Sequence, residues 1–186
     1  CTSHSNEKKI VTTDRKKFSD VKVDIKITKK LAKDNSTYFR LDNKLFDIEH
    51  SFFNQLPFIS RSFPDVKIIP LIVGSIVTVD KLLSQYIDDT TLIICTSDTS
   101  HINGNFDHKV IQDDIYYNIR SEDSKVLKYL NGETKDNNII LKSSACGKYA
   151  IILLMKLLEG RGLYPRLACY YTSLQKSNFS TDKGKF

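Results

Sequence analysis

No apolar run in this sequence approaches the roughly 20 residues needed to cross a bilayer. The best candidates, Ile68 to Val73 and Ala150 to Met155, stop far short of it. A helical membrane span is therefore excluded and a soluble chain is expected. The opening stretch also lacks a basic region followed by an apolar one, so no signal peptide is read there, and the first residue is Cys1 rather than Met, so the sequence reads as a fragment. Cys-x-x-Cys pairs are missing. Cys1, Cys95, Cys146 and Cys169 lie far apart, which fits neither a zinc knuckle nor a disulfide framework and points to a reducing, cytoplasmic setting. Charge is only mildly one-sided, with a net +6 and a pI near 9.0. Lys29, Lys30 and Lys33 are mixed with Asp24 and Asp34, and no aromatic-interleaved basic motif accompanies them, so specific nucleic-acid binding is not expected. Internal repeats are absent.

What is present suits one compact core: 186 residues, 40% of them hydrophobic. Runs rich in β-branched residues alternate with helical patterns, the signature of an α/β fold with a mostly parallel sheet flanked by helices. Lys9 to Thr13 reads as a first strand. Asp24 is placed to cap a helix carrying Ile25, Ile27 and Leu31, and Asp47 with Glu49 to open a second, whose apolar side includes Phe52, Phe53, Leu56 and Ile59 and which Pro57 should kink or shorten. Val66 to Val73 and Thr91 to Thr96 read as strands buried on both faces, with a helix around Val79 to Tyr86 between them. Asp107 to Asn131 looks helical but broken, and Asn131-Gly132 through Asp136-Asn137-Asn138 reads as a surface loop. Ala150 to Leu158 is apolar nearly all round and predicts a central helix that ends at Gly160 and Gly162. Leu163 to Ser173 reads as a late strand.

Ligands in open α/β sheets bind beyond the carboxyl ends of strands. Asp98 and His101 follow the Thr91 to Thr96 run, and the spacing Asp-x-x-His lets a carboxylate and an imidazole converge to hold a metal or pass a proton. A turn-capping Asp beside a surface His is the competing explanation. Cys146, in Ser144-Ala145-Cys146-Gly147, stands where the central helix begins. Backbone N–H groups and the helix dipole there favour thiolate, while a buried structural cysteine is the commoner fate of a lone Cys. Gly147 beside it would let a ligand approach the backbone closely. Cys95 and Cys169 are read as buried structural residues. His4 precedes the first strand, Glu49 and His50 form a pair near a helix start that could orient or contact a ligand, and His108 looks solvent-facing.

Taken in order, these segments resemble the Memo family, named for a mediator of cell motility, whose members share the fold of the class III extradiol dioxygenases. The matching residues are Thr2-Ser3-His4, Glu49-His50-Ser51 with Gln55-Leu56-Pro57-Phe58, Ile69-Pro70-Leu71-Ile72-Val73-Gly74, Thr96-Ser97-Asp98-Thr99-Ser100-His101, Ala145-Cys146-Gly147 and Tyr171-Thr172-Ser173. The family's Pro-His-Ala-Gly-Tyr segment has no counterpart, nor is its final Ser-Tyr-x-Ala segment recognisable after Lys176. The resemblance thus implies one Memo-like domain over residues 1–176, lacking the family's N-terminal segment, and a polar tail over 177–186.

The resemblance implies a cleft in which His4, Cys146, Asp98 and His101 hold iron or copper, with His50 and Glu49 lining it and Cys146, His101 and Asp98 as the reacting groups. Redox and signalling roles follow from it. Two alternatives stay open: a non-catalytic module that holds a peptide or signalling protein in the same cleft, and a hydrolase using Cys146 as nucleophile and His101 as base. The same reasoning expects Cys146 to be the most reactive thiol.

Overall fold

The computed structural model describes residues 7–100 and 115–171. His4, His101, His108 and the expected tail over 177–186 lie outside them.

The first strand, β1 (Ile10–Thr12), is buried along its whole length. It pairs in parallel with β4 (Phe39–Leu41), Ile10 opposite Phe39 and Thr12 opposite Leu41, and the connection between them contains helix α1 (Ile25–Asp34). Parallel neighbours require such a crossover. The cap of α1 is Asp24, whose carboxylate accepts the Ile27 N–H at 3.1 Å and so satisfies one of the donors that the first turn leaves open. Across the other edge of β1, Val11 exchanges backbone hydrogen bonds of 2.8 and 2.9 Å with Ile72. A second sheet contains β2 (Lys17–Phe18), β3 (Val21–Val23) and β5 (Lys67–Ile68); β2 and β3 run antiparallel, β3 and β5 parallel.

Three corrections concern the middle of the chain. Asp42, rather than Asp47 with Glu49, opens the second helix, α2 (Asn43–Ile48), accepting the N–H groups of Lys44 and Leu45. Asp47 instead forms a two-pronged ion pair with Arg15. Glu49 caps a separate short helix, α3 (His50–Phe53), and Pro57 stands in the first turn of α4 (Leu56–Ser62), where its missing N–H costs nothing. Pro57 therefore starts a helix rather than kinking one. The Val66 to Val73 run is a strand only at β5; Pro70 cannot donate to a ladder, and the chain rejoins β1 at Ile72.

Two further strands expected from sequence do not form ladders among the described residues. Along Thr91 to Thr96, Leu92 and Ile94 stay exposed (64% and 48%) while Ile93 and Cys95 are half-buried, an alternation that marks one covered face rather than two. From Leu163 to Tyr171 most residues are exposed, and Cys169 is among them, not a buried structural cysteine.

After α5 (Asp80–Ser84) and α6 (Ile115–Leu130), the loop expected around Asp136 is in part a helix. Asp136 caps α7 (Asn137–Leu141) by accepting the Asn138 N–H at 2.9 Å. Helix α8 (Lys148–Glu159) confirms the central-helix reading. Its Leu153 and Leu157 join Ile10, Leu31, Phe39, Val73 and Leu83 in one core cluster, whereas Ile151 and Ile152 join Val126, Tyr129 and Ile140 in another. A helix that serves two cores must be apolar on most sides. The third cluster is β1–β3 against α2 to α4, with Phe18, Phe46 and Phe52 in edge-to-face or tilted contact at 4.7 to 5.7 Å. Among the described residues no helix is long and apolar enough to cross a membrane.

Candidate functional site

Chain segments distant in sequence meet in front of α8. One is the extended stretch Thr96-Ser97-Asp98; the other is the turn Ala145-Cys146-Gly147 between α7 and α8. They are stitched by backbone and side chain alike: Cys146 N–H donates to the Asp98 carbonyl at 3.2 Å, and Gly147 N–H donates to Ser97 Oγ at 2.8 Å. Asp98 N–H donates to the Cys146 sulfur at 3.3 Å, and Ser97 Oγ lies 4.0 Å from the same sulfur.

Cys146 stands one residue before Gly147, the cap of α8, and is 5% exposed. Its sulfur accepts the N–H of Asp98, from the other segment. That contact and the nearby Ser97 hydroxyl fix the sulfur between the two segments. Gly147 also answers to packing. A Cβ there would lie 2.7 Å from both Ser97 Cβ and the Thr96 carbonyl oxygen, so the close approach of the 96–97 segment by itself requires glycine.

Asp98 and Cys146 are thus brought together across 48 positions of sequence. Glu49 caps α3, whose first residue is His50 and whose Phe52 packs against Phe18 and Phe46. The Glu49 carboxylate is buried and accepts from Ser51 N–H at 3.1 Å and Ser51 Oγ at 2.7 Å, which is the work of a helix cap; His50 is exposed. Cys95 packs against the core cluster that contains Ala145, and burial pushes its thiol up to about 11. It is no rival nucleophile.

Sequence reasoning missed Asp123. It lies on α6 and is 4% exposed, with Ser100 N–H and Ser100 Oγ donating to one carboxylate oxygen at 3.0 and 2.7 Å and Tyr170 Oη donating to the other at 2.7 Å. The Arg120 guanidinium stands 5.9 Å from the centre of the Tyr170 ring. In sequence, Glu122-Asp123 looks like a solvated helix face, and nothing marked it.

A family model described as Memo-like protein matches residues 3–182. The chain belongs to the Memo-like family. No curated protein matches it. Membership carries the fold of the class III extradiol dioxygenases with it, and the α/β arrangement with parallel strand pairs described above agrees. In this Memo-like chain the Asp-x-x-His and Cys-Gly motifs, weak when read singly, meet as far as the described residues reach. Among those residues no group of three or more His, Cys, Asp or Glu side chains gathers as a metal cage. Asp98 meets Cys146 through its backbone N–H and carbonyl; the Cys146 sulfur is a donor that suits a soft or borderline ion rather than calcium or magnesium, which prefer oxygen throughout.

Proposed function

We propose that this Memo-like chain binds copper or iron where the Ser97–Asp98 segment meets Cys146, and that it acts in redox chemistry or signalling through that site. The observation that carries the reading is the Asp98 N–H donating to a buried cysteine sulfur. A cysteine sulfur is a soft metal donor, and this contact fixes it where the two segments meet. Cys146 would supply the sulfur ligand and Asp98 the carboxylate, with His4 and His101 as the further ligands that the motifs suggest. Gly147 lets the 96–97 segment close on the helix start, and Ser97 pins it there. The bound ion would supply one-electron chemistry; the chain's part is to hold it and to keep bulk water off the sulfur.

Anaerobic titration with Cu(I) and Fe(II) tests the proposal. Cys146→Ser should weaken binding at least about tenfold, and Asp98→Asn by less, since affinity in such sites follows ligand softness. Tight stoichiometric binding that survives Cys146→Ser would overturn it. A second reading, a peptide-holding module, draws support from the exposed Leu163, Tyr164, Leu167 and Tyr171, because apolar groups in an extended stretch suit a peptide partner. A parent chain that takes up neither Cu(I) nor Fe(II) would favour that reading instead.

A further inference from the structure

The Asp98–Cys146 contact depends on where the 97–100 segment lies, and that segment forms no strand ladder to fix it. Its far end is held by Asp123, whose carboxylate takes both the backbone N–H and the hydroxyl of Ser100. The other carboxylate oxygen takes the Tyr170 hydroxyl, from a stretch that is otherwise largely exposed. Arg120 and Asp123, three residues apart, lie on one face of α6, and both address Tyr170. A carboxylate this deeply buried, accepting three donors, is an expensive feature unless it holds something in place.

We propose that Asp123 is a positioning residue for the thiol site: through Ser100 it sets the 97–100 segment so that Asp98 covers the Cys146 sulfur, and through Tyr170 it ties the 163–171 stretch to the same place. Asp123 touches neither Cys146 nor Asp98 by any contact described above; it acts through Ser100. The inference rests on the preceding reading only for the use to which the thiol is put, because its test measures access to the sulfur and not metal.

Alkylation by iodoacetamide, followed cysteine by cysteine through peptide mapping, reads the effect in the full chain. Asp123→Ala should raise the Cys146 rate at least about tenfold, the factor set by losing charge-assisted hydrogen bonds. The Cys95 rate should stay unchanged, since that thiol is buried by core packing. Asp123→Asn keeps an oxygen for Ser100 and should resemble Tyr170→Phe, each giving a smaller rise. If Asp123→Ala fails to fold, Ser100→Ala and Asp123→Asn still distinguish the outcomes. Parallel rises at Cys95 and Cys146 would show general loosening and overturn the proposal, as would a Cys146 rate that no variant changes. Loss of the metal reading with this thiol pattern intact would leave the role of Asp123 standing.

Discussion

Asp98 and Cys146, 48 residues apart, exchange contacts in both directions: the Cys146 N–H meets the Asp98 carbonyl at 3.2 Å, and the Asp98 N–H meets the Cys146 sulfur at 3.3 Å. This reciprocal pairing gives the Asp-x-x-His and Cys-Gly motifs a common physical basis. Each needs the other's backbone.

Gly147 makes the pairing possible. Gly147→Ala would force a methyl group to within 2.7 Å of the Thr96 carbonyl oxygen, a backbone atom that cannot swing aside. The substitution should cost about 1–3 kcal/mol, as overpacking does, read as a lower urea midpoint with an unchanged slope. It should also expose the Cys146 sulfur to alkylation. A neutral outcome on both counts would mean that the two segments do not press on each other in solution.

Thr28 predicts a gain. Its side chain is fully buried on α1, and its hydroxyl finds no hydrogen-bond partner among the described residues. Thr28→Val keeps the branched shape and removes the stranded hydroxyl, so stability should rise by about 1 kcal/mol. Thermal unfolding checks it. A fall in Tm would show that the hydroxyl is satisfied in solution.

How much of this was legible in the sequence depended on whether the signal was local. Asp24 as a cap, Leu31 on the inner face of α1, and the all-round apolar α8 follow from spacing alone, and the structure shows all three. The meeting of the Asp98 and Cys146 motifs was expected from where ligands gather in such sheets. What failed was long-range or competitive. Asp47 looked like a cap but pairs with Arg15, and a nearer Asp42 took the helix start. Leu92 and Ile94 have strand composition, yet β-branched residues describe a pleated surface without saying what covers it. Asp123 carried no signal, since its burial is created by Ser100 and Tyr170 from elsewhere in the chain.

The three described cysteines should react in an order that differs from the sequence expectation. Cys169 is exposed and should be alkylated first at neutral pH, ahead of the buried Cys146, with Cys95 last. Cys95 also sets an alkaline limit. Its thiol is raised on folding from 9.0 to about 11, so the native state keeps a proton that the unfolded chain gives up. The thiol makes no demand on stability below pH 9.0; stability falls as pH rises from there towards about 11. Tyr129, raised by burial, steepens the fall. Cys95→Ala should flatten this limb in denaturation curves collected across the alkaline range, and an unchanged limb would assign it to other groups.

Arg40 governs the acid side. Its guanidinium binds Glu7 through two nitrogens and Asp42 through a third at 2.7 Å. The Asp42 carboxyl is held below its ordinary 3.8 chiefly by that Arg40 hydrogen bond, helped by the Leu45 and Lys44 N–H groups that it caps. A depressed carboxyl stabilises the fold above its unfolded value, and that contribution disappears as pH falls through the folded one. Arg40→Ala should therefore cost about 1 kcal/mol at neutral pH, a figure reduced by partial exposure, and its loss of stability on acidification below 3.8 should be shallower than in the parent. Parallel acid limbs would remove Arg40 as the cause.

The most direct test of the metal reading is X-ray absorption on the chain loaded with one equivalent of Cu(I). The account predicts a copper–sulfur scattering distance of about 2.2–2.3 Å, in the range of metal–thiolate bonds, present in the parent and absent in Cys146→Ser. A first shell of nitrogen and oxygen alone in the parent, or a sulfur distance that persists in the variant, would contradict it.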